Sequence, residues 1–457
     1  MVLLSEIINF RNPKFNRAFW IWATIAAISI PIVMVSGMLL PVFFLAVAGG
    51  LLLLDMKFPL LVLYIIYLPT NGLIPRDDFL VGGIGIQQVL GLAALIAILR
   101  IRVTNPTDVF KRLAGSMLLL LLGYLVYTSF KNAVFDMHNT LWLDAVKRLV
   151  NVSIVYLPIL LMIRKMGNSI VSEWAQIGVF LGVLNMGVFC FLSPLLPDLG
   201  FYSLGTEMVG IARDADAHNR FTGVIGDGDS NTLGAFFVIA CGFYMARPVA
   251  LRRSMLLKTV VGLGSIGIAL TASRTALLSL FMLGLLFFSS PGKGKLKMQI
   301  AIGVIFMLIA AAPLWETVFA RLTESGSDQL NTQSTGNRIG KWLFYFEHFK
   351  AVPSTFIAGS PKMIFAGFNN KFLVAHNFYI QVIYNAGALF LAGFIFLYSR
   401  IFSLMMRGIS QYRIDMLILP LLAITFFVSD TGAFIYFIIF LSLYRLRDRP
   451  ASQLAVQ

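Results

Sequence analysis

Charged residues are scarce in this chain of 457 residues. Only 12% of the residues are charged, while 58% are hydrophobic; an ordinary soluble domain carries about 25% charged residues. So few charges cannot cover so much apolar surface in water, which excludes a cytosolic enzyme and an intrinsically disordered chain. Cysteine is almost absent as well. Its two copies, Cys190 and Cys241, lie inside apolar runs as small hydrophobic residues, so a disulfide scaffold is also excluded.

The chain also lacks the motifs of nucleotide-driven chemistry. It has no Gly-x-x-x-x-Gly-Lys loop, no dinucleotide fingerprint and no Gly-x-Ser-x-Gly elbow. Histidine occurs only four times, and no second histidine or cysteine stands at metal-ligand spacing from His376. These absences disfavour a nucleotide cofactor and a zinc site.

Long apolar runs are what the chain has in abundance. A membrane-spanning helix needs about 20 mostly apolar residues. Fourteen segments are candidates, of which the third and the last two are short: 18–34, 39–54, 58–70, 83–99, 113–129, 149–163, 175–193, 231–246, 259–272, 275–289, 298–314, 377–398, 414–428 and 432–444. We therefore expect an all-α polytopic membrane protein with about 12–14 transmembrane helices, folded as one integral membrane domain over residues 1–457.

The distribution of basic residues predicts which way the chain is oriented. Lys and Arg together number 36 against 21 acidic residues, for a formal net charge of +15. If both termini are cytoplasmic, 23 of these 36 basic residues fall in cytoplasmic segments, as the positive-inside rule requires. The basic charge then needs no nucleic acid partner. The same topology places the loops 194–230 and 315–376 on the outer side. The first apolar run follows three basic residues without a small-residue cleavage site, which predicts a retained anchor.

One arginine interrupts an apolar stretch of about thirty residues. This stretch is too long for a single span, so the chain must turn near the segment 270–276, Leu-Thr-Ala-Ser-Arg-Thr-Ala. An arginine near lipid costs several kcal/mol unless it faces water, a protein cavity or an anion. Arg274 is therefore a candidate site residue, with hydroxyls from Thr271, Ser273 and Thr275 beside it. The alternative is a turn arginine that extends to the lipid head groups.

A glycine-rich segment containing Arg220 leads into the eighth apolar run. Asn231 stands where a helix N-cap would open that run, and the N-terminus of a helix suits a phosphate group. Arg213 is a second, weaker basic candidate in the same loop. Asp227 and Asp229 could hold a divalent ion, although such a pair is more often a solvated turn. Asn231 could equally be an ordinary cap.

The long loop 315–376 contains an amphipathic helix and ends in a histidine. Residues 337–348 show apolar residues at helical spacing, with Arg338 and Trp342 one turn apart on one face. The alternative is an interfacial helix on the outer leaflet, with Arg338 on a lipid phosphate. His376 and Asn377 stand where the loop enters the twelfth apolar run. Imidazole suits proton transfer near neutral pH, although a histidine there is commonly a cap or a packing residue.

Taken in order, these segments resemble the motifs of the bacterial O-antigen ligase and O-antigen polymerase family of membrane glycosyltransferases. The resemblance covers about residues 213–400. The family patterns Arg-x-x-Gly…Asn, Leu-Thr-x-Ser-Arg, Arg-x-x-x-Trp and His-Asn…Gly are matched in turn by Arg220, Gly223 and Asn231, by Leu270, Thr271, Ser273 and Arg274, by Arg338 and Trp342, and by His376, Asn377 and Gly387.

One residue and one motif depart from the ligase pattern. Phe390 stands where ligases commonly have Gly, Thr or Tyr. The usual Asn-Pro-x-x-Gly-x-Gly is reduced to Val-Pro-Ser at 352–354 and Gly-Ser at 359–360. Together with the fourteen candidate spans, these departures favour a polymerase over a ligase.

The resemblance implies a glycan transferase of the bacterial inner membrane with its active site on the periplasmic face. The donor would be an oligosaccharide linked to undecaprenyl diphosphate. The acceptor would be a second lipid-linked glycan for a polymerase, or lipid A-core for a ligase. No cofactor and no metal ion are expected. The lipid bilayer is an expected partner, a chain-length regulator is an optional one, and nucleic acid is not expected.

The same resemblance implies a role for each candidate residue. His376 would be the catalytic base and Arg274 the catalytic cation at the diphosphate. The remaining residues would bind substrate: Arg220, Arg338, Arg213, Asn231, Trp342 and Asn377. Two hypotheses from other functional classes remain open. A transporter of lipid-linked oligosaccharide would bind the same diphosphate without forming a glycosidic bond. If the chain were a structural subunit of a synthesis complex, His376 and Arg274 would have no chemical role.

Overall fold

The computed structural model describes most of the apolar segments and little of the long loops. The described residues are 10–35, 39–69, 86–101, 108–135, 141–166, 169–192, 230–246, 255–271, 273–289, 294, 297–298, 301, 338–360, 375, 377–407, 413–427 and 432–443. Regular secondary structure in these ranges is helical, and no strand occurs within them. The expectation of an all-α fold is confirmed for this part of the chain.

Sixteen helices occur in the described ranges. In chain order they are α1 (Pro13–Val35), α2 (Leu39–Leu53), α3 (Lys57–Tyr67), α4 (Ile86–Leu99), α5 (Val109–Phe135), α6 (Leu141–Lys165), α7 (Ser169–Leu192), α8 (Ser230–Met245), α9 (Met255–Thr271), α10 (Arg274–Ser289), α11 (Arg338–Ala351), α12 (Pro353–Ala358), α13 (Phe378–Ala386), α14 (Ala388–Met406), α15 (Asp415–Phe427) and α16 (Gly432–Ser442).

Helices occupy thirteen of the fourteen candidate spans, and the remaining segment, 298–314, lies almost entirely outside the described residues. Among the described residues, three helical segments are long and apolar enough to cross a membrane: Val109–Lys131, Ile170–Val188 and Ala388–Met406. Seven further apolar helices are shorter, between 10 and 17 residues. The larger number of crossings stays a prediction.

The twelfth candidate span, 377–398, is not the single helix that its continuous apolar sequence predicted. It is divided at Gly387 into α13 and α14. Gly387 has a φ of +87°, in the left-handed region that favours glycine. A Cβ at this position would overlap the carbonyl oxygen of Ile357, because α12 crosses the chain here. A tertiary contact therefore breaks the helix. In the local sequence, a single glycine is the only sign of this break.

Several pairs of packed helices run in opposite directions. α5 and α14 are antiparallel, since Gly123 lies against Phe390 while Leu120 lies against Gly393. α8 and α15 are also antiparallel, because Gly242 packs directly against the backbone of Met416 near the end of one helix and the start of the other. The up-and-down order gives the bundle two distinct ends.

One end of the bundle collects basic side chains, and we call it the basic end. Here the Nζ of Lys111, at the start of α5, donates to the carbonyl of Met166 at 2.8 Å. Lys165, at the end of α6, donates to the carbonyls of Ile98, in the last turn of α4, and of Ile101, just after it. A cation at the C-terminus of a helix satisfies free carbonyls and complements the helix dipole. Other basic residues at this end are exposed: Arg100, Arg112, Arg164, Arg400 and Arg407.

Adding a methyl group at Gly387 tests whether α12 crosses the chain at the helix break. Gly387→Ala adds left-handed strain of about 1–2 kcal/mol and a contact with backbone that cannot move aside. We expect an apparent Tm lower by about 3–5 °C in detergent, followed by tryptophan fluorescence. Gly284→Ala, in α10, is the matched control, because a Cβ there has nothing within 4 Å. An unchanged Tm for Gly387→Ala would contradict the described break.

Candidate functional site

The structure describes only part of the site that the sequence predicts. Arg213, Arg220 and His376 lie outside the described residues, as do the two carboxylates of the glycine-rich loop, Asp227 and Asp229. Asn231, Arg274 and Arg338 each lie in the first turn of a helix, and their backbone is described without their side chains. Trp342 and Asn377 are described in full. The roles of all these residues stay predictions, but their helices can be placed.

The first turns of α8 and α10 are in direct contact. A Cβ built on Gly234 would lie 2.7 Å from the Cβ of Ala276 and 3.3 Å from both the Cβ of Ser273 and the Oγ1 of Thr271. Only a glycine allows this approach. The contact brings the backbone of Asn231, three residues before Gly234, close to the start of α10, where Arg274 lies.

The hydroxyls beside Arg274 serve the helix ends. Thr271 Oγ1 donates to the carbonyl of Ile268 at 2.7 Å and so closes α9. Ser273 Oγ accepts from the backbone N–H of Ala276 at 3.4 Å, which caps the start of α10. Thr271, Ser273 and Thr275 are all buried. These bonds fix the sharp turn between α9 and α10 that the sequence predicted from the length of the apolar stretch.

The ends of α8 and α15 show where these first turns lie in the bundle. The N–H of Arg413 donates to the carbonyl of Ala246 at 2.8 Å, so the end of α8 meets the start of α15. From the nearby contact of Gly242 with Met416, eleven residues of α8 lead back to Asn231, and eleven residues of α15 lead forward to Phe427. Both helical stretches are about 16 Å long. The start of α8 and the end of α15 therefore lie at the same end of the bundle.

The same end receives the first turns of α11 and α13. The ring of Trp342 packs edge-on against Phe426, with 5.3 Å between the ring centroids. Tyr379 Oη lies 2.8 Å from Thr425 Oγ1. The indole Nε1 of Trp342 also donates to the carbonyl of Ala375 at 2.7 Å, which joins α11 to the residue two places before Asn377. We call this end of the bundle the site end.

The first turns of α8, α10, α11 and α13 therefore lie at the site end. The first turn of a helix has backbone N–H groups without intrahelical partners and a partial positive charge. Several such turns facing one region favour an anion there. The C-terminal ends of α9 and α15 lie at the same end and offset part of this charge, so the predicted arginines would have to supply the rest.

Asn377 has a structural role that the sequence analysis did not assign to it. Its side chain is 3% exposed, and its Oδ1 accepts from the N–H groups of Tyr379 and Ile380 at 3.0 and 3.1 Å. Asn377 is therefore the N-cap of α13. The predicted contact of Asn377 with substrate stays a prediction beside this observed cap.

The helix predicted at 337–348 is α11, but its buried face differs from the apolar set that its spacing predicts, which is Ile339, Trp342, Leu343, Phe346 and Phe349. Tyr345 is 1% exposed and packs on Tyr384 with a centroid distance of 5.0 Å, whereas Leu343 and Phe346 are 52% and 48% exposed. Burial, with a smaller contribution from Tyr384, raises the pKa of the Tyr345 phenol. The Tyr345 hydroxyl is therefore neutral at any physiological pH. Phe349 completes the buried face.

Sequence reasoning missed a polar group on α13 and α5. Gln381 and Asn385 are one turn apart on α13, and the Nδ2 of Asn385 donates to Tyr124 Oη at 3.0 Å. The buried Lys131, near the end of α5, donates to the carbonyl of Asn385. The only signal in the sequence is an i, i+4 pair of amides within an apolar run, which does not point to residues 124 and 131.

Metal-ligand clusters and known relatives give no further information about this site. Within the described residues, no group of three or more His, Cys, Asp or Glu side chains could hold a metal ion. The chain matches no protein-family model, no curated protein and no solved structure. The resemblance to O-antigen polymerases and ligases therefore depends on the motifs alone.

The cap at Asn377 is testable with two substitutions. Asn377→Ala removes the acceptor for two backbone N–H groups and should lower the free energy of unfolding by about 1 kcal/mol. Asn377→Asp keeps the acceptor and adds a favourable charge at the helix N-terminus, so it should be as stable as the wild type. Thermal unfolding in detergent measures both. Equal loss of stability in the two variants would show that the cap does not contribute as described.

Proposed function

We propose that this chain is a polytopic inner-membrane glycosyltransferase that polymerises lipid-linked glycans. Its donor is an oligosaccharide on undecaprenyl diphosphate, and its acceptor is a hydroxyl of another lipid-linked glycan. One observation carries the proposal. The helix starts that bear Asn231, Arg274, Arg338 and Asn377 converge at a single end of the bundle, although the chain separates these residues by up to 146 positions.

The reaction needs stabilisation of a diphosphate that leaves with growing negative charge. The acceptor oxygen bonds to C1 of the donor sugar, the bond from C1 to the diphosphate oxygen breaks, and the diphosphate keeps the electron pair. Arginine is charged at any relevant pH and binds phosphate bidentately. At a membrane edge of low dielectric, Arg274, with Arg220 and Arg338, stabilises this charge in the transition state. The helix N-termini add fixed positive potential at no cost of reorganisation.

The acceptor hydroxyl must lose its proton as the new bond forms. In the proposal, His376 takes that proton as a general base. Its two neighbours in the chain are firmly held: Ala375 by the indole of Trp342, and Asn377 by the first turn of α13. The candidate base is therefore the residue between two that hydrogen bonds hold in place.

The charge pattern of the two ends supports a topology for the proposal. Lys111 and Lys165 belong to the basic end, together with the exposed arginines that follow α4 and α14. Cytoplasmic loops of membrane proteins carry an excess of Lys and Arg. The basic end is then cytoplasmic, as are both termini, and the site end is periplasmic. Lipid-linked donors presented on the periplasmic face would reach the site end directly.

A transporter of lipid-linked oligosaccharide is the second candidate, and the helix break at Gly387 is the observation that favours it. Transporters bind substrate at broken helices near the bilayer midplane. In this chain, however, Ala388–Met406 remains long and apolar enough to cross the membrane by itself, so the break lies toward its outer end. This position favours the transferase. Attachment of glycan to lipid A-core, the ligase reaction, would use the same residues and differ only in the acceptor.

Replacement of Arg274 by lysine tests the diphosphate site. Arg274→Lys keeps one positive charge but loses the planar, bidentate fork, so glycan transfer should fall by about 100-fold or more. The assay uses purified protein, a lipid-diphosphate-linked donor and a lipid-linked acceptor in detergent. Arg112→Lys, at the basic end, is the control and should behave as the wild type. Normal products from a well-folded Arg274→Lys variant would refute the assignment, and a wild type that forms no glycosidic bond would favour the transporter.

Chelation tests whether arginine replaces a metal ion. Because the proposed charge stabilisation comes from arginine and helix termini, glycan transfer should persist in excess EDTA at about the untreated rate. The same assay after exhaustive dialysis against EDTA measures this. Strict dependence on added Mg²⁺ or Mn²⁺ would instead implicate Asp227 and Asp229 as metal ligands.

A further inference from the structure

A continuous series of hydrogen bonds connects the residue before His376 to α5. The N–H of Ala375 donates to Gln381 Oε1 at 3.1 Å. Gln381 Nε2 donates to Asn385 Oδ1 at 3.0 Å, and Asn385 Nδ2 donates to Tyr124 Oη at 3.0 Å. Tyr124 belongs to α5, a helix that is distant in sequence. The series therefore links α13 and the segment just before it to a helix that is 261 residues away in the chain.

Both backbone polar groups of Ala375 are used. Its N–H is bound by Gln381 of α13, and its carbonyl is bound by Trp342 of α11 at 2.7 Å. Ala375 itself is fully buried. Two side chains from different helices thus hold the N–H and the carbonyl of one residue, which leaves that residue little freedom for translation or rotation.

The far end of the series is anchored in a buried environment. Tyr124 is 5% exposed and Lys131 is 7% exposed. Lys131 donates to the carbonyl of Asn385, so the backbone of that residue is held as well as its amide. A polar network in a low-dielectric interior is costly when it is only partly satisfied, and a satisfied network selects one arrangement of its members. The side chain of Tyr124 also contacts Phe378 in the first turn of α13.

The end of α12 and Ser360, two residues beyond it, are bonded to the same region. The N–H of Ser360 donates to the carbonyl of Tyr384 at 2.6 Å, and Tyr127 Oη donates to the carbonyl of Ala358 at 2.8 Å. These bonds tie the C-terminal end of α13 to α5 through a second route. α13 is therefore fixed to α5 at its far end, and Gln381 transmits that fixed position to Ala375.

We propose that Gln381, Asn385 and Tyr124 are positioning residues that hold the segment leading into α13 in one register relative to α5. They touch no reacting atom. Apolar residues of similar size would fill the same space, but they could not fix the direction of the Ala375 N–H. The consequence for the reaction rests on the proposed function: loss of the series displaces the candidate base and lowers kcat, while donor binding at the helix starts and arginines is unaffected.

Three substitutions separate the links of this series. Gln381→Leu removes both hydrogen bonds of the side chain. Gln381→Glu keeps the acceptor for the Ala375 N–H and loses the donor to Asn385. Tyr124→Phe removes only the last link. The matched control is Gln176→Leu, because Gln176 is a buried glutamine of α7 whose amide donates to Ser172 within its own helix.

Hydrogen–deuterium exchange of the full-length protein in detergent is the readout that does not depend on activity. In Gln381→Leu, exchange at the Ala375 amide should be about three- to tenfold faster, as expected for loss of one hydrogen bond. Gln381→Glu should retain most of the protection, Tyr124→Phe should show an intermediate increase, and Gln176→Leu should match the wild type at Ala375. Wild-type exchange at Ala375 in Gln381→Leu would overturn the proposal.

Steady-state kinetics with the lipid-linked donor and acceptor give the second readout. For Gln381→Leu we expect kcat to fall by about 10- to 100-fold, the loss caused by a small misplacement, with the donor KM within about twofold of the wild type. Gln381→Glu should restore most of kcat. Faster exchange with unchanged kcat would overturn the positioning role. A wild type without transferase activity would refute the proposed function, whereas the exchange result would still decide whether the series holds Ala375.

Discussion

Close contact between the first turns of α8 and α10 is the constraint on which the rest of the arrangement depends. Gly234 has no side chain, so α10 approaches α8 until Ala276 lies within 2.7 Å of the place where a Cβ would be. The first turns of both helices then lie at one end of the bundle, beside the starts of α11 and α13. The positive ends of four helix dipoles lie there together with the C-terminal ends of α9 and α15, so the proposed anion site depends on the predicted arginines as well as on the backbone.

The buried lysines of the bundle differ from the predicted site arginines in the role proposed for their charge. Lys111, Lys165 and Lys131 are buried, and each donates to a carbonyl at the C-terminal end of a helix. A cation in that position is stabilised by the helix dipole and satisfies an acceptor that would otherwise be unpaired. The described hydrogen bonds of these lysines therefore join parts of the chain to one another. A count of basic residues cannot distinguish them from arginines that are available to substrate, but their hydrogen bonds do.

Sequence patterns predicted the helices well because apolar runs of sufficient length leave few alternatives. The break at Gly387 was missed because its cause, the crossing of α12 at Ile357, is tertiary. The series from Ala375 to Tyr124 was missed for the same reason, since no spacing relates residues on α5 and α13 that are more than 250 positions apart. The cap at Asn377 was within reach of the sequence, because Asn before a helical run is a common N-cap. The roles of Arg213, Arg220 and His376, which lie outside the described residues, stay predictions.

The location of the donor diphosphate tests the central claim most directly. An electron cryo-microscopy structure of the protein in lipid nanodiscs with an undecaprenyl-diphosphate-linked oligosaccharide would show it. The account predicts the diphosphate at the site end, within hydrogen-bonding distance of the Arg274 guanidinium and beside the first turns of α8 and α10. A diphosphate bound near the bilayer midplane, or among the arginines of the basic end, would contradict the account.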